Sequence, residues 1–243
     1  MKLRVFDSAA ELFQAAAEEF ASRAARAVRE RGRFCVALSG GSTPRGLFNL
    51  LAGGAFPIPW NETSLFWGDE RHVPPDSPES NYRMTQETLL SKVSIPANNI
   101  FRVPAEAPNA ETVAQKYEQT LQAFFGLKLG EIPRFDLTLN GLGPDGHTAS
   151  LFPGTVALDE NVRLVAAPWV EKFKSYRITL TFPVFNHAAC VLFLVTGKEK
   201  APALRAIYAG NQSDYPAGRI HLGNGDLLWF ADRAAADGLR SSA

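Results

Sequence analysis

Leu137-Thr-Leu-Asn-Gly-Leu-Gly-Pro-Asp-Gly-His-Thr-Ala-Ser-Leu-Phe-Pro153 changes character part-way along. It starts as an alternating apolar run, Phe135, Leu137, Leu139, which predicts a strand. Gly141, Gly143, Pro144, Asp145 and Gly146 then form a turn cluster that cannot continue a strand. His147 leaves that turn two residues after Asp145, and Thr148 is placed to cap a short helix. In an open α/β sheet this end of a strand is where ligands bind. A Pro-Asp-Gly turn and a single His are usually structural features only. The weight here comes from three further segments that end in the same way.

Phe34 to Leu38 is a nearly continuous apolar run, as a strand covered on both faces requires. It ends in Ser39-Gly-Gly-Ser-Thr-Pro44. Thr43 suits a helix cap and Pro44 the first helical position. Strand, glycine loop and helix would together point free N–H groups at an anion; the plain alternative is a capped helix start. The spacing fits neither the P-loop nor the dinucleotide pattern. Thr63 to Trp67 is the next strand and runs into Gly68-Asp-Glu-Arg-His72, whose charges belong either to a solvated turn or to a site. Ala189 to Val195 is a third, followed by Thr196-Gly-Lys-Glu-Lys200, where Lys200 either reaches an anion or is simply exposed. A parallel sheet sets these ends along one edge. The resulting pocket holds a glycine loop, cations, carboxylates and one His, a composition suited to a small phosphorylated substrate.

Between these segments the pattern is ordinary. Residues 3 to 6 predict a short strand. Ser8 with Glu11 forms a capping box for a helix that runs to Arg31 and stops at Gly32. Pro74, Pro75 and Pro78 hold an irregular loop to Asn81, Ser80 caps a helix from Tyr82 to about Leu90, and residues 95 to 103 form a connection. Ala110 to Phe125 is an amphipathic helix. Val162 to Ala166 and Arg177 to Phe182 predict strands, the second stopped by Pro183. A helix carrying Leu204 and Ile207, a loop from Gly210 to Leu222, a strand from Leu227 to Phe230 and a terminal helix from Asp232 complete the chain.

The 243 residues are read as a single domain, 1–243, with 46% hydrophobic and 21% charged residues, enough for a globular core. Formal net charge is zero, which argues against a nucleic-acid partner bound by phosphate neutralisation. No apolar run approaches the ~20 residues of a membrane span, and the first residues lack a signal-peptide core. Cys35 and Cys190 both sit in apolar runs, as free thiols in a reducing cytoplasm would. His72, His187 and His221 show no metal-ligand spacing and are read as structural or surface residues. No metal, cofactor, membrane or obligatory protein partner is expected.

Taken jointly and in order, Leu-Ser-Gly-Gly-Ser-Thr-Pro, Trp-Gly-Asp-Glu-Arg-His-Val-Pro, Asn-Gly-Leu-Gly-Pro-Asp-Gly-His-Thr-Ala-Ser-Leu-Phe-Pro and Val-Thr-Gly-Lys-Glu-Lys-Ala resemble the 6-phosphogluconolactonase family, from about Val5 to Phe230. The wider group resembled includes glucosamine-6-phosphate deaminases. The resemblance implies a Rossmann-like three-layer α/β/α sandwich with a mainly parallel sheet. It also implies metal-free hydrolysis of the δ-lactone of 6-phosphogluconate. The deaminases place a Glu five residues after the His; here that residue is Phe152, which cannot titrate and so favours the lactonase. On this resemblance His147 is the general base, and either Asp145 or Asp69 orients it. Arg71, or a backbone N–H near Gly141 to Gly143, would meet the oxyanion. The 6-phosphate would rest on Ser39, Gly40, Gly41, Ser42 and Thr43 with Lys200 and Arg177, and Arg71 is an alternative phosphate ligand. Deaminase or isomerase activity is the competing enzyme reading. A non-catalytic sugar-phosphate sensor is the other; the sensors resembled carry a DNA-binding helix pair, for which the start of this sequence leaves no room.

Overall fold

The structure, a computed structural model, describes residues 1–211 and 215–239. Its first half runs β1 (Lys2–Phe6), α1 (Ala9–Arg31), β2 (Phe34–Leu38), α2 (Ser42–Ala52), β3 (Thr63–Trp67), β4 (Asp69–Arg71), α3 (Asn81–Thr88), β5 (Ile100–Phe101) and α4 (Ala110–Phe125). The second half runs β6 (Leu137–Gly141), β7 (Val165–Ala166), β8 (Trp169–Val170), β9 (Ser175–Leu180), α5 (Phe182–His187), β10 (Cys190–Val195), α6 (Ala201–Tyr208) and β11 (Asp226–Asp232).

Seven strands pair in parallel in the order β1-β11-β10-β6-β2-β3-β5. Every residue of β2, β3 and β10 is buried, which is why β2 and β10 read as unbroken apolar runs and β3 as one after its first two residues, Thr63 and Ser64. Helices cover both faces. The ring of Phe34 meets Phe20 of α1 at 5.2 Å, and Phe34 pairs with Thr63 across β2 and β3. Phe66 lies three residues beyond Thr63, so its side chain points to the other face. There it meets Phe124 of α4 at 5.0 Å. α1 and α4 are therefore on opposite sides, and the architecture is the expected three-layer α/β/α sandwich. β5 ends at Phe101, one residue short of Trp67 in register. The Tyr117 hydroxyl of α4 takes over, accepting from the Trp67 N–H and donating to its carbonyl, both at 2.9 Å.

A small antiparallel sheet, β4-β9-β7 with β8 also on β9, accompanies the main one and was not anticipated. Its strand β4 is the charge run after Trp67. Asp69 and Glu70 are buried at 8% and 2% exposure, so this run is no solvated turn. Glu70 accepts from Ser80 Oγ and from the N–H groups of Arg71, Asn81 and Tyr82, fixing the start of α3. Burial pushes its carboxyl up, and these donors offset only part of that.

Several local expectations hold. Ser8 Oγ accepts from the N–H of Glu11 at 3.2 Å and the Glu11 carboxylate returns to the N–H of Asp7. Gly32 closes α1 at φ 72. Others are corrected. α2 starts at Ser42 with Gly41 as its cap, φ 108, so Pro44 is not at the first position; the Thr43 hydroxyl is bonded to that of Thr196 at 2.6 Å and caps nothing. Thr148 caps no helix: its buried hydroxyl accepts from Asn140 Nδ2 at 3.1 Å, and its backbone bridges to Leu151. Of Val162 to Ala166 only Val165–Ala166 is strand. Phe182 opens α5 rather than closing β9, because Pro183 suits a helix start. The stretch 210–222 carries a 3-10 turn at Pro216–Arg219; its residues 212–214 lie outside the described residues. β11 runs through Asp232, and residues 233–238 form turns instead of the expected helix, with 240–243 outside the described residues. Among the described residues no helix is long and apolar enough to cross a membrane.

Candidate active site

Because β2, β3, β6 and β10 are parallel, the segments that follow them open on one rim. Together they line a cleft of about 220 Å³. Of the sequence-predicted site residues, Ser39 to Thr43, Asp69, Arg71, His147 and Lys200 all border it. Asp145 does not, but it holds the ring of His147. Arg177 lines an adjoining cavity of about 270 Å³ that shares Asp69, Arg71, His147 and Ala149 with the first.

The loop after β6 is built to present the imidazole. The Gly143 N–H donates to the His147 carbonyl at 2.8 Å, the Gly146 N–H donates to the Gly143 carbonyl at 2.9 Å, and Gly146 takes φ 76. Thr138, Asn140 and Thr148 form a buried hydroxyl–amide chain beneath it. His147 Nδ1 is hydrogen-bonded to Asp145 Oδ1. An ionised carboxylate only accepts, so Nδ1 carries the proton and Nε2 keeps the lone pair. Burial pushes the Asp145 carboxyl up, but the hydrogen bonds from the ring and the N–H of His147, with Lys172 Nζ 3.5 Å away, hold it well below the usual carboxylate range. The turn leaves no spare room. A Cβ on Gly143 would lie 2.0 Å from His147 Nδ1 and 2.7 Å from Asp145 Oδ1.

Phe152 stacks on the imidazole, centroids 4.0 Å apart and planes 29° from parallel. Phe173 packs edge-on against Phe152 at 5.6 Å, and the Arg177 guanidinium lies 4.9 Å over the Phe173 ring. Arg177 pairs with Arg71 across β4 and β9. Arg71 donates to the Glu79 carbonyl, and Arg177 donates to Ser175 Oγ at 2.5 Å and the Tyr176 carbonyl at 3.3 Å. Both guanidiniums are thus held by neutral oxygens, and their charges face the cavities. Burial and the neighbouring Arg71 charge lower the Arg177 guanidinium from its ordinary value. An anion between these residues would relieve that repulsion.

Asp69 has other partners, and Nδ1 of the imidazole is bonded to Asp145. Ser150 Oγ donates to Oδ2 at 2.6 Å, and Asn81 Nδ2 donates to the Asp69 carbonyl at 2.9 Å. On the opposite wall the Ser39 hydroxyl is buried with no hydrogen-bond partner among the described residues. Such an orphan fits a group that a bound anion satisfies. Lys200 Nζ is 3.6 Å from Glu199 and its side chain is only 22% exposed. Sequence reasoning missed Asn81 and Ser150. Asn81 was visible only as the end of a proline-rich loop, and Ser150 as one residue of the His147 motif.

Among the described residues no group of three or more His, Cys, Asp or Glu could hold a metal ion. His72, His187 and His221 are engaged with backbone carbonyls of Ala107, Pro133 and Arg219. Cys35 and Cys190 are buried and free.

Residues 7–229 match the family model described as glucosamine-6-phosphate isomerases/6-phosphogluconolactonase. A 6-phosphogluconolactonase from Nostoc sp. is 46% identical over 211 residues, 86% of each chain. One from Synechocystis sp. is 44% identical over 221 residues, 90% of each chain. The solved structure of a 6-phosphogluconolactonase from Trypanosoma cruzi superposes with a TM-score of 0.88 at 34% identity, covering 98% of this chain and 96% of that one.

Proposed function

The chain belongs to the glucosamine-6-phosphate isomerase/6-phosphogluconolactonase family, and from that premise we propose that it hydrolyses 6-phospho-D-glucono-1,5-lactone to 6-phosphogluconate, the lactone-opening step of the pentose phosphate pathway. The observation that carries this choice within the family is the His147–Asp145 pair with the Phe152 ring stacked against it. The site offers one base and, at the position where the deaminases resembled carry a Glu, an apolar ring. Lactone hydrolysis asks for no more than that.

His147 Nε2 takes a proton from water as the water oxygen attacks the C1 carbonyl. Asp145, kept ionised, holds the ring tautomer and stabilises the imidazolium that forms. The tetrahedral oxyanion needs preorganised donors. Arg71 borders both cavities and is the side-chain candidate. The Gly143 N–H is already bonded to the His147 carbonyl, so the backbone candidate moves off Gly143. The C1–O bond of the ring then breaks, the imidazolium proton goes to the departing ring oxygen, and the new acid ionises. The 6-phosphate rests on the Gly40–Thr43 loop, where Ser39 Oγ lacks a partner, with Lys200 and, from the adjoining cavity, Arg177. A cytoplasmic location belongs to the same proposal and is supported by the two buried free thiols; fractionation of cells would test it.

The deciding experiment compares the rate of lactone loss at fixed pH with and without purified protein, since the lactone also opens spontaneously. His147→Ala should fold and lose about 10² to 10⁴ in turnover. Near-normal turnover would remove His147 from the mechanism, and ammonia release from glucosamine 6-phosphate would move the chain to the deaminases.

A further inference from the structure

Asn81 has no part in the steps above, yet it stands where three of the four strand ends meet. It is 2% exposed and borders the main cleft. Its Nδ2 donates to the Asp69 carbonyl at 2.9 Å and lies 3.4 Å from Asp69 Oδ1. Its own N–H is fixed on Glu70 Oε1 at 2.7 Å, so the side chain springs from a clamped backbone. The amide oxygen faces the glycine loop: a Cβ built on Gly40 would sit 1.8 Å from Asn81 Oδ1. The φ of Gly40 is not positive, so the close approach, not the backbone conformation, demands glycine there. The second oxygen of Asp69 is taken by Ser150 Oγ at 2.6 Å, three residues beyond His147 in the same loop.

We propose that Asn81 is a positioning residue that joins the glycine loop, the Asp69 carboxylate and, through Ser150, the His147 loop into one rigid body. The distance between the cradle for the phosphate and the base at the lactone carbonyl is then set by a buried amide that need not touch the reacting atoms. This rests on the lactonase reading. An amide suits the task because its nitrogen donates to Asp69 while its flat, uncharged oxygen end packs against Gly40. The charged and titratable groups around it are Asp69, Glu70 and Arg71 on β4, Arg177 on β9, His147 after β6 and Lys200 after β10. A carboxyl introduced at position 81 can donate to Asp69 only while protonated; once ionised it sets acceptor against acceptor.

The test measures kcat and KM for the lactone across pH, with spontaneous hydrolysis subtracted, for the full chain carrying Asn81→Asp, Asn81→Ala, Gly40→Ala and the double change Gly40→Ala with Asn81→Ala. Thermal unfolding is followed in parallel. Asn81→Asp should acquire a limb absent from the parent and from Asn81→Ala: kcat/KM falls as pH rises and the new carboxyl ionises. Asn81→Ala should lose about tenfold to 10²-fold in kcat/KM at every pH, with KM and kcat both altered because both ends are loosened. Gly40→Ala should be destabilised, and removing the Asn81 side chain should recover part of that loss. Parent-like profiles for both Asn81 variants, losses that merely follow the unfolded fraction, or no recovery in the double variant would each overturn the proposal. The recovery arm needs no activity. If the parent protein does not accelerate lactone opening the functional reading fails by itself, and the Gly40–Asn81 contact is still judged.

Discussion

Replacing Gly143 by Ala adds one methyl group at the point where the site has least room. The new Cβ would lie 2.0 Å from His147 Nδ1, 2.1 Å from Cε1 and 2.7 Å from Asp145 Oδ1. Real Cβ contacts are not that short, so something must move. The backbone of residue 143 is tied by its N–H to the His147 carbonyl and by its carbonyl to the Gly146 N–H, so the turn resists shifting. The imidazole must leave its bond to Asp145. Losing a placed general base costs about 10² to 10⁴ in rate, or about 2.7 to 5.4 kcal/mol at about 1.36 kcal/mol per decade. The φ of Gly143 is not positive, so alanine carries no backbone penalty, and the stability loss should stay near the ~1 kcal/mol of one hydrogen bond. A pH signature accompanies it. The Asp145 carboxyl is depressed in the folded protein, so its contribution to stability is present above its unfolded value of about 3.9 and is lost as pH falls through the folded one. The variant lacks that contribution, so the stability gap between parent and Gly143→Ala should narrow in acid. Lactone hydrolysis corrected for the spontaneous rate gives the first result, and denaturant unfolding at neutral and acid pH gives the second. A kcat/KM within about twofold of the parent would refute the claim that the working imidazole is the one bonded to Asp145.

Lys200→Ala should chiefly raise KM, because a phosphate remote from the carbonyl contributes binding that is largely uniform along the reaction; a large kcat loss at unchanged KM would contradict the phosphate assignment. Tyr117→Phe should cost about 1 to 3 kcal/mol of stability with little kinetic change, since it strands both peptide groups of Trp67 where β5 has ended; an unchanged unfolding midpoint would show that water replaces the hydroxyl. Glu160 accepts from the N–H groups of Val162 and Arg163 and from Arg163 Nε. Burial opposes these donors, and together with the Arg163 charge they win, holding the carboxyl at about 2. That stabilisation is present above the ordinary carboxylate range and is lost as pH falls toward about 2. Glu160→Gln should therefore show its full deficit, of the order of 1 kcal/mol at this exposed ion pair, at neutral pH and close on the parent in strong acid.

The main sheet was legible because its central strands are covered on both faces. β2 and β10 are wholly apolar and β3 is apolar from Leu65 on, and each is followed within two residues by glycine. The small sheet was not. β4 is three residues long and entirely polar, and its partner β9 alternates as any half-buried strand does, whichever way its neighbours run. The two helix-cap errors share one cause. Thr43 and Thr148 have the right residue type next to a loop, but both hydroxyls found tertiary partners, Thr196 and Asn140, that no local pattern announces. The terminal helix failed for a similar reason. Asp232 does cap a turn, its carboxylate accepting from the Ala235 N–H three residues on, but the same carboxylate takes the Gly197 N–H, and residues 233–238 stay as turns. Asn81 was illegible for the opposite reason: its role depends on a glycine 41 positions earlier by sequence number, and only the fold brings them together.

The division between local and distant parts bears on how one scaffold serves more than one chemistry. Asp145 and His147 are two residues apart, and their bond is made inside a single turn, so the pair needs no long-range contact to bring it together. The groups for the anion come from β2, β9 and the loop after β10, and are set by the sheet. Position 152 belongs to both. Its backbone is in the His147 loop, and its ring reaches Phe173, over which Arg177 lies. A carboxylate there would add a second titrating group beside the base, as ring-opening chemistry needs. It would also dismantle the aromatic contact between the base and the cation of the adjoining cavity. Phe152 therefore does more than omit an acid: it covers one face of the imidazole and holds its plane, and in the proposed mechanism that leaves Nε2 as the one group to activate water.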